Sequence, residues 1–276
     1  MVKRIIQKTK SVLFADPKLL YKEDFEFLDK DFYFQGGNDV AILLLHGWST
    51  TSYEIRRVGQ YLNESGYTVY GPMLSGHGTV PKDLEDFVYT DWIRDAQDAL
   101  DKLLKTHKRV YVGGTSMGAN LALSLAKERS DIEGLILMAT PYKLRFEKMG
   151  ELATIILSKF KRYHTKFYPP TFGLSTTITR LISYQSYPIK SVIELGKLVK
   201  LSRKNLEKIS QPCLILQSAH DHIVSKNSAD KIYDQISSKI KKKRYIQKAY
   251  HTFISDIRND HVFKDILEFV NEVEKK

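Results

Sequence analysis

The fold turns on one stretch, Tyr111-Val-Gly-Gly114-Thr115-Ser116-Met117-Gly118-Ala119. An apolar, β-rich run ends there in Gly-x-Ser-x-Gly, and a helix-period segment, Met117 to Lys127, begins at once. A serine hydroxyl is a poor nucleophile unless it is exposed and beside a base. A tight strand-to-helix turn supplies the exposure, because it holds Ser116 in a strained conformation at the strand end. Side chains at 114 and 118 would collide across such a turn, so both positions need glycine. An ordinary glycine-rich loop, the alternative reading, requires neither the strand before it nor the helix after it.

The same alternation extends to both sides. Val40 to Leu45 reads as a strand, Tyr53 to Ser65 as a helix ended by Gly66, and Thr68 to Pro72 as a second strand. Asp83 to Lys105 reads as one long amphipathic helix, followed by strands Arg109 to Gly113 and Leu135 to Met138 around the Met117 helix. Strands that are apolar throughout are covered on both faces. The fold class is therefore α/β: a mainly parallel central sheet flanked by helices. Phe25-Glu-Phe-Leu28 and Phe32-Tyr-Phe34 read as antiparallel edge strands.

The alternation stops at Pro141. Residues 142–208 hold two helix-period stretches separated by Pro169-Pro170, and strand patterning resumes at Pro212 to Gln217. A helix from Ser228 to Ile236, a strand around Arg244 to Ile246 and a helix from Val262 to about Val273 complete the chain. Residues 1–141 and 209–276 thus form one core domain, with 142–208 inserted as a helical cap, or lid.

Composition narrows the class further. The 276 residues are 42% hydrophobic and 27% charged, ordinary for a globular chain and unlike a low-complexity or disulfide-scaffold protein. Cys213 has no second cysteine to bridge, and Val12-Leu-Phe-Ala15 is too short for a signal-peptide core, so a cytoplasmic location is expected. The strongest apolar runs are six residues or fewer, far short of a bilayer span.

The net charge of +11 is unevenly spread. Residues 141–208 carry fourteen lysines and arginines against four glutamates and no aspartate, leaving +1 for the rest of the chain. Either the cap is merely solvated, with Lys190, Lys197 and Lys204 on a helix's outer face, or it makes peripheral contact with anionic lipid surfaces. No nucleic-acid motif accompanies the charge, so nucleic-acid binding is not expected.

A nucleophile needs a base, and the base needs an orienting carboxylate. In the α/β-hydrolases, which a Gly-x-Ser-x-Gly turn between strand and helix resembles, the acid follows a later strand and the histidine follows the last one. Asp221, in Ser218-Ala-His-Asp221, and His251, in Lys248-Ala-Tyr-His251, occupy those places. Asp230 and His261 compete, but both lie at helix starts, where a carboxylate or a polar side chain has a simpler explanation. His220 and His222 invite a metal reading that no ligand cluster supports. The oxyanion of an acyl-transfer intermediate needs preorganised donors. The backbone N–H of Met117 is one candidate, and that of Trp48, after Leu45-His46-Gly47, is the other. The Trp48 indole reads either as a wall of an acyl pocket or as packing.

These motifs together carry a resemblance. Leu44-Leu-His-Gly-Trp48, Gly71-Pro72 with Ser75-Gly-His-Gly78, Thr90-Asp-Trp92, Gly114-Thr-Ser-Met-Gly118 and Gln217 to Asp221 resemble, in order and spacing, the α/β-hydrolases of the monoacylglycerol lipase and bacterial carboxylesterase type. The resemblance runs from about Phe32 to the end. It implies Ser116, Asp221 and His251 as the triad, Trp48 and Met117 as oxyanion donors, a structural His77, and a cap over the acyl site. One departure is Tyr250, where a glycine commonly precedes the histidine.

The implied activity is hydrolysis of carboxylic esters, monoacylglycerols or medium to long acyl esters, through an acyl-enzyme and with no metal or organic cofactor. An acyl thioesterase or lysophospholipase would use the same triad and is not separated by sequence. An aminopeptidase would want carboxylates near the site, which the cap scarcely offers. A dehalogenase would need aspartate at position 116. A non-catalytic lipid-binding module would not require all three polar residues.

Overall fold

The computed structural model describes residues 22–144, 147–166, 181–204 and 206–275. Val40–Leu45 forms β2, and all six of its side chains are buried. A parallel sheet explains that pattern, since residues of alternate parity meet helices on opposite faces. Ala41, Leu43 and Leu45 belong to one core cluster with α2 (Tyr89–Leu104), α3 (Met117–Ala126) and α6 (Ser228–Gln235). Val40, Ile42 and Leu44 pack with α1 (Tyr53–Glu64) and α7 (His261–Glu274).

Seven strands build this sheet in the order β1-β3-β2-β4-β5-β8-β9. They are β1 (Phe32–Phe34), β2, β3 (Thr68–Gly71), β4 (Arg109–Thr115), β5 (Ile132–Met138), β8 (Cys213–Ser218) and β9 (Lys241–Ile246). Only β1 runs antiparallel, pairing Phe32 with Gly71 at the edge; the other neighbours are parallel. The parallel strands therefore end on one side, and the loops after β2, β4, β8 and β9 gather there, the usual ligand position in open α/β sheets. Cys213 is fully buried in β8, and burial pushes its thiol well above the ordinary range.

Between β5 and β8 lies the segment read above as an insertion. It holds α4 (Glu147–Ser158), β6 (Tyr163–Thr165), β7 (Ser186–Pro188) and α5 (Ile189–Arg203). The expectation of a purely helical segment missed the two-stranded β6–β7 ribbon, whose register pairs His164 with Tyr187. Pro169 and Pro170 lie outside the described residues. The apolar stripe of α4 does not face inward: Leu152 and Ile156 are at least half exposed, and Phe160, just past the helix, is 84% exposed. Of the insertion's cations, Arg162 pairs with Glu85 and Arg203 with Glu147, while Lys159, Lys161, Lys190 and Lys204 are exposed.

Two other expectations are corrected. Phe25 to Leu28 is not a strand; Lys22–Phe27 forms a 3-10 turn, and the Phe27 ring lies under the Arg56 guanidinium at 4.2 Å. The segment from Asp83 to Lys105 is not one helix. A 3-10 turn, Pro81–Glu85, precedes α2, and extended backbone at Val88 separates them. The Asp91 carboxylate accepts the Val88 N–H at 2.9 Å, so the second helix starts with its own cap. Among the described residues no helix is long and apolar enough to cross a membrane.

Candidate active site

Strand β4 delivers Ser116 to the sheet's carboxyl end. A Cβ on Gly114 would lie 2.3 Å from the Gly118 carbonyl carbon, and one on Gly118 would lie 2.1 Å from the Leu45 oxygen. Glycine at both positions therefore lets the turn close and lets the start of α3 abut the loop after β2. Ser116 takes φ 51° and ψ −113°. A non-glycine residue there carries roughly 1–3 kcal/mol of strain and persists only when its surroundings hold it. The Ser116 N–H donates to the Met138 carbonyl at 2.8 Å, and its carbonyl accepts from Ala119 and Asn120 at 3.1 and 3.2 Å. These bonds leave the side chain free to point away from the sheet.

The loops after β8 and β9 bring Asp221 and His251 to it. His251 Nε2 lies 3.0 Å from Ser116 Oγ, and His251 Nδ1 lies 2.8 Å from Asp221 Oδ2. Asp221 is 4% exposed, yet its charge is well met. Its Oδ1 accepts from the Ile223 and Val224 N–H groups at 2.9 Å each, and Oδ2 also accepts from the Gln217 amide at 2.8 Å. Burial alone would raise the Asp221 carboxyl, but the His251 interaction and these hydrogen bonds outweigh it and hold it below the ordinary range. For His251 burial alone would lower the imidazole, while Asp221 and the more distant Glu54 raise it, with a net upward shift.

Opposite them runs the loop after β2. Its first residue, His46, is fully buried, and burial drops its imidazole to about 4. Because the Leu74 N–H donates to Nε2 at 3.1 Å, the ring proton sits on Nδ1, where it donates to the Gly47 carbonyl at 2.8 Å. From below, Glu54 Oε2 accepts both the Gly47 N–H and the Thr50 hydroxyl at 2.8 Å. Glu54 is buried, and burial raises its carboxyl above the ordinary range. Trp48 follows Gly47 on this loop. Met117, the first residue of α3, has a backbone N–H with no acceptor inside its helix. The Trp48 ring meets Tyr187 of β7 edge-on at 4.8 Å, so the indole is packed against the insertion.

The competing residues fall elsewhere. Asp230 lies in the first turn of α6 and pairs with Lys243 at 2.5 Å; His261 is exposed at the start of α7. His220 and His222 are exposed, and among the described residues no group of three or more His, Cys, Asp or Glu side chains could hold a metal. His77 is buried, bonded through Nδ1 to the Ser75 carbonyl at 3.1 Å and edge-on to His46 at 4.9 Å. Tyr250, beside His251, is partly exposed and meets His222 edge-on.

Three neighbours of the site escape a reading of the sequence. Glu54 shows one signal, a carboxylate within the buried stripe of α1 beside Tyr53, Ile55 and Val58. Lys166 and Tyr184 show none, because both reach the β2 loop from the insertion, more than a hundred residues away.

A parallel sheet with a serine on a strained strand-to-helix turn, a histidine against it and an acid behind the histidine defines the class of α/β-hydrolases. The family profile described as serine aminopeptidase, S33 (Hydrolase_4) matches residues 37–258, and the chain belongs to that family. It is similar to a carboxylesterase of Bacillus subtilis (strain 168), 27% identical over 89% of this chain and 97% of that protein. It is similar also to a thermostable monoacylglycerol lipase of Bacillus sp. (strain H-257), 29% identical over 86% of this chain and 92% of the relative. Among solved structures, one of the metagenome-derived lipolytic enzymes LipS and LipT superposes with a TM-score of 0.81 at 22% identity, covering 89% of this chain and 98% of its own. The monoacylglycerol lipase of Paleococcus ferrophilus does so with a TM-score of 0.74 at 16% identity, covering 88% and 98%. At these identities the structural likenesses speak for the fold alone.

Proposed function

We propose that this α/β-hydrolase cleaves carboxylic esters, monoacylglycerols or other medium to long acyl esters, with Ser116 as nucleophile, His251 as general base and acid, and Asp221 as the group that orients the imidazole. The observation that carries this reading is the continuous chain Ser116 Oγ to His251 Nε2 at 3.0 Å and His251 Nδ1 to Asp221 Oδ2 at 2.8 Å. Ser116 Oγ attacks the ester carbonyl as its proton passes to Nε2. The alkoxide leaves with that proton, and water then releases the acid from Ser116 by the same route. Asp221 keeps the Nδ1 proton in place and stabilises the imidazolium. The Trp48 and Met117 N–H groups meet the oxyanion.

The names of the two Bacillus relatives support ester rather than peptide cleavage. So does the surrounding charge. Glu54, the buried carboxylate of the β2 loop, is spent on Gly47 and Thr50 and does not offer itself to a substrate ammonium. Ser116→Ala is expected to abolish both p-nitrophenyl ester hydrolysis and fluorophosphonate labelling; retention of both would refute the assignment. A panel of simple esters, monoacylglycerols and acyl-CoA of matched chain length separates esterase from thioesterase.

A second observation bears on where the substrate is met. Residues 142–208 serve in this reading as a cap, and its α4 face turns Leu152, Ile155, Ile156, Leu157 and Phe160 outward beside exposed Lys159 and Lys161. Apolar side chains flanked by cations suit the surface of an anionic bilayer. Hydrolysis on anionic vesicles should fall with added salt and with reversal of Lys159 and Lys161 to glutamate. Indifference to both would leave the cap merely solvated.

A further inference from the structure

Ser49 stands next to Trp48 and has the left-handed φ of 60°. A buried, non-glycine residue keeps such a conformation only where its neighbours enforce it. The core holds the loop at Gly47 and Thr50 through Glu54. Both hydrogen bonds of Ser49 among the described residues come instead from the insertion. Lys166 Nζ donates to its hydroxyl at 2.6 Å, and the Tyr184 N–H donates to its carbonyl at 2.9 Å.

These two contacts act as one body. The Lys166 N–H donates to the Gln185 carbonyl at 2.8 Å, prolonging the β6–β7 pairing, so Lys166 and Tyr184 sit on the two arms of one ribbon. The ribbon is seated at further points. Tyr184 Oη donates to the Gly76 carbonyl at 2.9 Å and accepts the Thr79 N–H at 3.1 Å, and Tyr187 packs on the Trp48 ring. Lys166 is half-buried; burial draws its ammonium down to about 8, with the Glu54 carboxylate opposing that shift.

We propose that the β6–β7 ribbon is a strut for the oxyanion loop: Lys166 and the Tyr184 backbone fix Ser49, and thereby hold the adjacent Trp48 N–H where the oxyanion forms. Lys166 is a positioning residue in this scheme and touches no reacting atom. The insertion then does more than cover the site, since half of the oxyanion hole depends on its being seated. This rests on the assignment of Ser116 and Trp48 made under the proposed function.

The test uses p-nitrophenyl acetate, whose acyl group is too short to need the cap. Lys166→Met removes the donor and keeps the stem, Lys166→Arg restores a donor, and Ser49→Ala removes the acceptor without touching the insertion. Loss of a whole oxyanion donor costs about 100- to 1000-fold in kcat, so a displaced one should cost on the order of tenfold, with KM unchanged within about threefold. Lys166→Arg should recover much of that loss, and the Lys166→Met/Ser49→Ala double variant should be no slower than either single one, because both break the same contact. Hydrogen exchange supplies a readout independent of turnover: amides of residues 47–52 should exchange faster in Lys166→Met, while those of 114–119 should not.

If the melting temperature and the exchange of residues 47–52 match wild type in both single variants, the strut is refuted. An unchanged kcat with a raised KM refutes it too, because Lys166 would then bind substrate. Should Lys166→Met fail to fold, Ser49→Ala carries the same comparison. Undiminished hydrolysis in Ser116→Ala would instead remove the underlying assignment, and the exchange data would still judge the strut.

Discussion

The two loops that flank Ser116 are held by different means. The turn between β4 and α3 is closed by what is absent: at Gly114 and Gly118 neighbouring backbone fills the space a side chain would need. The loop after β2 is closed by what is present, since His46, Glu54, Lys166 and Tyr184 each supply a hydrogen bond to it. Steric closure is local and all or nothing. Closure by side chains is assembled from distant parts of the chain and can be loosened one bond at a time. The first kind of loop should therefore fail abruptly on substitution, and the second should degrade by degrees.

The largest effect is expected at the turn. In Gly118→Ala the new Cβ would meet the Leu45 carbonyl oxygen at 2.1 Å, and that oxygen belongs to a central strand with nowhere to move. The variant should lose about 3–5 kcal/mol of stability, visible in urea or thermal unfolding, and any folded fraction should be inactive. A stable, active Gly118→Ala would show that the turn has slack the geometry does not suggest.

A smaller, graded effect is expected at Glu54. Glu54→Ala leaves the Gly47 N–H without its acceptor and the Thr50 hydroxyl with the Gly47 carbonyl alone, and should cost roughly 1–3 kcal/mol. Glu54→Gln keeps an acceptor and should behave differently. Because burial raises the Glu54 carboxyl, the folded state favours its protonated form, and that contribution to stability is lost as pH rises through the raised value. Replacing it with the neutral amide should therefore equal or exceed wild-type stability at neutral pH, with the difference closing as pH falls into the ordinary carboxylate range. Melting curves of the three proteins at several pH values check both the order and the sign.

The smallest effect lies in the pH profile of hydrolysis. The proposed mechanism needs His251 neutral, and its imidazole is raised by Asp221 and by Glu54 against the pull of burial. The limb of kcat/KM against pH should rise with its midpoint above the ordinary histidine value of about 6.5. Glu54→Gln removes one of the two negative neighbours, so its midpoint should move to lower pH by a fraction of a unit. An unmoved midpoint would mean that Glu54 is neutral in the working enzyme.

The same contrast governs how much of the molecule can be read before it is seen. The strand Val40–Leu45 is legible because continuous apolar character has one cheap use in a chain of this size, and all six residues are buried. The Ser116 turn is legible because its constraints lie within five residues. Asp221 and His251 could be reached through chain order, each following a strand, and their side chains meet Ser116 in one line of hydrogen bonds. What resists reading is closure at a distance. Nothing about Lys166 distinguishes it from thirteen other cations of the insertion. The stripe of α4 has helical spacing, yet spacing does not say whether a face turns inward, and this one turns out. Short segments fail for a related reason. Phe25 to Leu28 alternates over only four residues, too few for the period to tell a strand from the 3-10 turn that forms there.

Cys213 makes these differences measurable without adding a probe. It is the chain's only thiol, it sits fully buried at the start of β8, one strand in from the sheet's edge, and its proton is held tightly there. A thiol reagent can reach it only while the helices packed over this face of the sheet are lifted from it. The rate of its modification is thus a clock for opening of the core on this face of the sheet, which Leu195, Leu198 and Val199 of α5 help to close. A change confined to the loop after β2 should leave that clock running at its native pace, and a broken turn at Gly118 should speed it.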